Sequence, residues 1–277
     1  MLQGRTGNQA GLKARLGIPR TSYSGALRRI RITLAYDGTG YHGWQVQPGL
    51  PTIQSVLEEI ISGIEGSPVH VAGSGRTDAG VHALAQVAAF TIGNPIPVDN
   101  LQRALNRLLP PAIRILDVAE ARADFHPRFD AVAKTYQYTL FRAPICPPFQ
   151  WRYVHHHPFP LNEEAMREAA RVFEGEHDFT AFAAADKLDG HEKCRVRRIF
   201  RSELVRSGDA LLYTVRGSGF LKHMVRNIVG TLIETGRGNI AAPEVARLLS
   251  GDVPGKSGPT APAKGLTLQS VEYPPLT

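Results

Sequence analysis

Gly73-Ser74-Gly75-Arg76-Thr77-Asp78-Ala79-Gly80-Val81-His82-Ala83 is a glycine-dense loop that holds one basic and one acidic side chain two residues apart. Val69 to Ala72 before it and Gln86 to Thr91 after it are rich in Val, Ala and Phe, so a pair of strands presents the loop at a sheet end. Gly73, Gly75 and Gly80 permit positive φ and close approach of another backbone, which leaves Arg76 and Asp78 as the main chemical groups. As a plain hairpin turn the two would simply pair with each other; as a site they have an active-site composition.

Upstream, Arg29 to Ala35 alternates Arg-Ile-Arg-Ile-Thr-Leu-Ala, the period of a half-buried strand, and Tyr36-Asp37-Gly38-Thr39-Gly40 turns away from it. Tyr41, His42 and Trp44 follow, aromatics that either stack on nucleotides or pack under the turn. Thr52 caps a helix running to about Ile64, with Ile53, Val56, Leu57, Ile60, Ile61 and Ile64 on one face. After the loop, Asp99 opens a second helix with Gln102 as its capping-box partner, and Pro110-Pro111 stops it before a strand over Ile113 to Val118.

A second unit repeats the theme. Ala131 to Phe141 and Trp151 to His157 read as strands, Asn162 caps a helix to about Phe173, and Cys194 to Val205 and Ala210 to Gly217 make two long strands. Helices over Phe220 to Thr235 and Pro243 to Leu249 follow, and Gln269 to Tyr273 closes the sheet. The order predicts an α+β fold of two α/β subdomains, residues 29–130 and 131–277, sharing a largely antiparallel sheet with helices on one face. The strand from Ala131 would join the halves. Residues 1–28 read as a flexible basic arm, a composition that also fits a transit peptide or a start assigned too far upstream. Ser250 to Lys264 is rich in Gly, Pro and Ser: either a flexible linker or a loop whose Lys256 and Lys264 reach phosphates.

The 277 residues are 43% hydrophobic, enough for a sizeable core, and contain no apolar run near the roughly 18 residues of a spanning helix. No membrane association is expected. Cys146 and Cys194 lie far apart without zinc spacing, which fits a reduced, cytoplasmic protein. There is no P-loop, dinucleotide fingerprint or clustered metal motif, so no cofactor and no metal are expected. His155-His156-His157 does not change this, because adjacent strand residues point to opposite faces. Net charge is +7, with seven basic residues and no acid up to Arg31. From His191 to Arg237 ten Lys and Arg face four acids, a local basic face suited to a polyanion.

Arg76-Thr77-Asp78-Ala79-Gly80-Val81-His82 resembles the catalytic motif of the tRNA pseudouridine synthase A family. Other stretches resemble that family in the same order: Tyr36-Asp37-Gly38 with Tyr41-His42-Gly43-Trp44-Gln45, Asp124-Phe125-His126, Lys134-Thr135-Tyr136-Gln137-Tyr138, His177-Asp178-Phe179-Thr180, His223-Met224-Val225-Arg226-Asn227, and Ala261-Pro262-Ala263-Lys264-Gly265-Leu266. The resemblance spans about Arg29 to Tyr273. It implies a pseudouridine synthase fold with a basic RNA cleft on the face opposite the helices, and isomerisation of uridine to pseudouridine at positions 38, 39 and 40 of the tRNA anticodon stem-loop. It also implies a homodimer and no small-molecule cofactor. By the same resemblance Asp78 is the catalyst, Arg226 its partner, Tyr136 the ring that stacks on the target uracil and Leu266 an apolar pocket wall. Lys264 and His223 join them as candidate substrate contacts.

The chemistry is consistent with those residue types. A carboxylate is a plausible catalyst at a sugar C1′ provided it stays ionised, and Arg76 beside it, with Arg226 as a second guanidinium, would lower its pKa. Two other readings use the same residues. In one, a non-catalytic RNA-binding module merely binds with its basic face and aromatics. In the other, a nucleoside hydrolase would need a metal or a second carboxylate, and neither is evident beside Asp78.

Overall fold

The computed structural model describes residues 26–184, 194–250 and 257–275. Most of the expected N-terminal arm, together with Lys193 and Lys256, lies outside the described residues. Strands are β1 (Arg28–Tyr36), β2 (Ala72–Gly73), β3 (His82–Ile92), β4 (Ile113–Ala121), β5 (Ala133–Phe141), β6 (His155–His156), β7 (Gly175–Asp178), β8 (Val196–Ser207), β9 (Ala210–Gly217) and β10 (Leu266–Glu272). Helices are α1 (Ile53–Glu65), α2 (Val98–Leu108), α3 (Glu163–Val172), α4 (Met224–Gly236) and α5 (Ala242–Leu249). The strands form one sheet in the order β4-β1-β3-β10-β5-β9-β8-β7, with β2 added to β3 and β6 to β5.

Sequence period decides which side of the sheet is covered. In β1 the alternation buries Ile30, Ile32 and Leu34 completely and turns Arg29, Arg31 and Thr33 the other way. Those three residues join Tyr136, Tyr138, Tyr213 and the apolar faces of all five helices in a single core. The helices therefore lie on one side. The opposite side carries a smaller cluster, Val87, Ala89 and Phe125, packed against Val271 and Tyr273. Among the described residues no helix is long and apolar enough to cross a membrane.

Helix α1 starts where the sequence indicates. Thr52 accepts from the Ser55 amide at 3.2 Å while the Ser55 hydroxyl accepts from the Thr52 amide at 3.1 Å, a reciprocal cap on two otherwise orphaned donors. Thr52→Ala should lower stability by about 1–2 kcal/mol and Thr52→Ser by much less, read as the shift in urea midpoint. An unchanged midpoint in the alanine variant would mean that the cap is idle.

Several elements depart from the sequence pattern. The Asp99–Gln102 capping box does not form: α2 begins at Val98 with Pro97 as an uncapped N-cap. Gln102 donates instead to the Ile115 and Leu116 carbonyls, and Asn106 both donates to and accepts from Ile115. These amides complete the backbone of β4, an edge strand paired only with β1. The strand expected over 151–157 shrinks to His155–His156, and the one over 69–73 to Ala72–Gly73. Finally, β10 does more than close the sheet. It enters the centre, antiparallel to β5 and parallel to β3 through Thr267–His82 and Leu268–Ala83, so the N-terminal strands reach β5 only through it. That parallel stitch lies four residues beyond Asp78.

Candidate active site

The loop between β2 and β3 is clamped by the turn that follows β1. Trp44 donates its amide to the Thr77 carbonyl at 3.0 Å, Gly80 donates to the Tyr41 carbonyl, and the Tyr36 hydroxyl meets Thr77 Oγ1 at 2.9 Å. The fit leaves no room for side chains. A Cβ on Gly43, which sits at φ +84°, would lie 2.5 Å from the Thr77 carbonyl oxygen, and one on Gly38 would lie 2.1 Å from that of Val81. Trp44 is buried under the turn, so of the two roles open to it packing is the one observed. From below, Ser74 and Gln86 bond each other, and the half-buried Lys134 ammonium donates to the Ser74 carbonyl at 2.6 Å. Burial, reinforced by Arg128, pushes that lysine down to about 8.

Held this way, Asp78 is about three-quarters covered. Its Oδ2 accepts from Arg226 Nη1 at 2.8 Å, with His223 Nε2 at 3.7 Å, while Oδ1 has no hydrogen-bond partner among the described residues. Both partners come from the start of α4, whose dipole also favours an anion. The sequence pattern starts this helix at Phe220. The observed start is Met224, because His223 takes φ +62°, the one positive φ outside glycine among the described residues. A left-handed histidine costs on the order of 1–2 kcal/mol and persists only where the surroundings enforce it. Here it turns the chain so that His223 and Arg226 face Asp78.

Arg226 has a second task. Its Nε donates to the Ala261 carbonyl at 2.8 Å, and the Ala261 amide donates back to the Arg226 carbonyl. One guanidinium thus joins Asp78 to the segment that leads into β10. Gly230 lets that segment cross α4, since a Cβ there would sit 1.7 Å from the Pro259 carbonyl oxygen. Arg76 is not part of this arrangement: it is exposed and makes no hydrogen bond or ion pair with Asp78. Its side chain points to solvent while Thr77 turns inward, so the pairing expected from their spacing is replaced by the long-range pair with Arg226.

Tyr136 is buried, its ring edge-on to Phe220 at 5.2 Å and its hydroxyl without a hydrogen bond among the described residues. Burial, with Tyr36 and the Asp78 carboxylate adding to it, pushes its phenol far above the usual range, so it presents a neutral ring. Leu266, buried at the start of β10, pairs in register with Tyr138. Lys264 places its Nζ 3.4 Å over the Trp151 ring. His82 accepts from the Gly38 amide on Nδ1, and its Nε2 lies 3.2 Å from the Arg152 carbonyl; burial keeps its pKa low against the opposing pull of Asp37. The sequence reading set the RNA cleft on the face opposite the helices. Tyr136, Leu266 and Arg226 meet on the helix-bearing side, because Arg226 itself rides on α4.

Thr77, Phe220, Ala261 and Trp151 complete the site without having been singled out from sequence. Thr77 had a local signal, a small hydroxyl inside the motif. Ala261 stood at the head of a stretch that resembles the family, while Phe220 and Trp151 act through contacts far along the chain and had no such signal.

Residues 32–130 and 169–274 match the family described as tRNA pseudouridine synthase. The chain is 68% identical over 247 residues to a tRNA pseudouridine synthase A of Solibacter usitatus, covering 89% of this chain and 100% of that protein. The chain belongs to the tRNA pseudouridine synthase family. Proteins of the same name from Geobacter sp. strain M21 and Brevibacillus brevis are 46% and 43% identical, covering 90% and 89% of this chain and 100% of each relative. As a tRNA pseudouridine synthase family member the chain has the pseudouridine synthase fold, a large mixed sheet with five helices among the described residues.

Asp78 falls in the first matched segment and His223, Arg226, Lys264 and Leu266 in the second, so the family's two segments meet at the Asp78–Arg226 pair. Tyr136 lies between them. Tyr136→Phe should keep pseudouridine formation within about threefold, whereas Tyr136→Ala should cost about 5- to 150-fold, the worth of one stacked base. Single-turnover rates on unmodified tRNA decide it. Equal damage from both would give the hydroxyl, rather than the ring, the role.

Proposed function

We propose that this chain isomerises uridine to pseudouridine at positions 38, 39 and 40 of the tRNA anticodon stem-loop, with Asp78 acting at the sugar–base junction. The observation that carries the proposal is the Asp78–Arg226 ion pair beside the neutral ring of Tyr136, with Oδ1 without a hydrogen-bond partner among the described residues. In the reaction the bond from N1 to C1′ breaks, the uracil turns, C5 bonds to C1′, and the proton lost from C5 is balanced by one gained at N1. Nothing external is consumed, so a site built from a carboxylate, a guanidinium and a stacking ring is sufficient.

A uridine within a stem must be extruded, at a cost of a few kcal/mol, before Asp78 reaches it. Tyr136 and Leu266 would receive the base, and Arg226 would orient the carboxylate. Exposed Arg76, with Lys264 and His223, would face the phosphates and loop bases. The binding-only reading is less favoured, since a module that only holds phosphates gains nothing from a carboxylate at its centre. In this reading residues 29–130 and 131–277 act as two subdomains, and the enzyme works as a cytoplasmic homodimer, as the family resemblance implies.

The test is to incubate the purified protein with an unmodified tRNA transcript and map pseudouridine at nucleotide resolution. Product confined to positions 38–40 is the expected result. No product, or product only elsewhere in the tRNA, overturns the proposal.

A further inference from the structure

Between the end of β5 at Phe141 and β6 the chain forms a strap, residues 142–154, whose composition matches neither a core nor an ordinary solvated loop. Ile145, Phe149, Trp151 and Tyr153 are all exposed, Phe149 at 92% and Trp151 at 51%. Four large apolar side chains in nine residues are costly to leave in water. The strap is not loosely placed. Gln150 and Trp151 donate to the Pro147 carbonyl and Tyr153 donates to that of Gln150, so the rings are carried on a self-bonded turn.

Three ties fasten this turn to elements around Asp78. His82 Nε2, from the residue four beyond Asp78, meets the Arg152 carbonyl. The Tyr153 hydroxyl donates to Asp37 Oδ2 at 3.1 Å, on the turn that clamps the loop. Lys264, two residues before Leu266, lies over one face of Trp151. Behind the strap a cavity of about 530 Å³, walled by Asp37, His82, Gln137, Tyr153 and Gln269 among others, leaves the inner side unfilled. That is within the roughly 300–1,000 Å³ of sites that take a small molecule.

Resting on the function proposed above, we propose that this strap is a stacking platform for unpaired RNA bases flanking the target uridine, with Trp151 as the principal ring and Phe149 as the outer one. Two observations choose the occupant. A lysine over one face of an indole leaves the other face for a second flat group, and the exposed Arg152 next in the chain supplies a further cation, which together suit an aromatic polyanion. The strap is also tied through His82 to the strand that begins four residues beyond Asp78, within the span of a polynucleotide held at that carboxylate. Stacking has little base preference, because every base has a π face, so the platform would hold the loop while Asp78 and Tyr136 select the uridine.

The chain has two tryptophans, of which Trp44 is buried, so Trp151 reports on its own surroundings. Adding unmodified tRNA should quench the exposed tryptophan emission in wild type and not in Trp151→Phe, which should bind within about threefold of wild type. Trp151→Ala and Phe149→Ala should each bind tRNA about 5- to 100-fold more weakly, with the dependence of affinity on salt unchanged, since a ring and not a charge has been removed. Their thermal unfolding should match wild type, because the rings are exposed. Wild-type affinity in both alanine variants would overturn the platform, and so would a loss that appears as a change in salt dependence. A change in sedimentation from a larger to a smaller species would likewise overturn it by making the strap a subunit contact. Wild-type protein that binds tRNA yet makes no pseudouridine would overturn the parent function and leave the platform to be judged on binding alone.

Discussion

Replacing Asp78 by Asn is expected to lower single-turnover pseudouridine formation by on the order of 10⁴-fold or more while tRNA affinity stays within about threefold of wild type. The asymmetry follows from the geometry. An asparagine has the same shape, and its amide oxygen can still accept from Arg226 Nη1, while Arg226 Nε keeps its separate bond to the Ala261 carbonyl. The segment leading into β10 therefore stays docked, and Tyr136 keeps its contact with Phe220. What disappears is the anionic Oδ1, which has no hydrogen-bond partner among the described residues. Binding should not weaken, because removing a negative charge from a surface that meets phosphates is neutral or favourable. Asp78→Ala serves as a control against slow deamidation of the asparagine and should be equally inactive. Product within tenfold of wild type from either variant would remove Asp78 from the chemistry, and a matching fall in affinity would make its role structural.

How much of this was legible in the sequence depends on the range over which each feature is encoded. The strand at Arg28–Tyr36 and the helix capped by Thr52 rest on period and on a cap three residues away, and both stand where the pattern put them. The central position of β10 could not be read this way. A seven-residue strand carries no mark of its neighbours, and only the folded register sets Leu268 between Ala83 and Tyr136. The role of Gln102 is not encoded locally, because an amide that suits a capping box serves equally well to complete an edge strand, and the second use depends on the strand's position. The start of α4 is hidden from the pattern because a continuous apolar stripe does not reveal one left-handed residue at its beginning. In the site, local spacing favoured Arg76 as the partner of Asp78. The observed partner is 148 residues away, and it reaches the carboxylate because α4 and the Ala261 segment are fixed to each other first. The glycines of the motif had the opposite character. Gly38 was visible as a turn residue and Gly43 only within a stretch that resembles the family, but their necessity, the approach of the Val81 and Thr77 carbonyls, is a packing fact.

Arg226→Ala is expected to have the second largest effect, and the way it combines with Asp78→Asn distinguishes a positioning role from an independent one. The substitution leaves the Ala261 carbonyl and a mostly covered carboxylate without their shared donor. Breaking a fully buried pair costs about 3–5 kcal/mol, and since Asp78 is partly open to solvent a loss of about 1–2 kcal/mol is the better expectation. Single-turnover rate should fall by about 10²- to 10³-fold, the usual consequence of losing one oriented donor at a reacting centre. Arg226→Lys should lie between, because a single ammonium keeps the charge but cannot bond Asp78 and Ala261 together in the fork that a guanidinium provides. If Arg226 acts through the carboxylate, then adding Arg226→Ala to the Asp78→Asn protein should cost nothing further in rate, although the stability loss should remain. Additive losses in rate would show that the guanidinium contacts the RNA on its own account, and the carboxylate would then have to be oriented by the backbone clamp of Trp44, Tyr41 and Gly43 alone. The same double variant separates the two tasks of this residue: a stability loss equal in both backgrounds belongs to the Ala261 bond, and whatever vanishes in the asparagine background belongs to the ion pair.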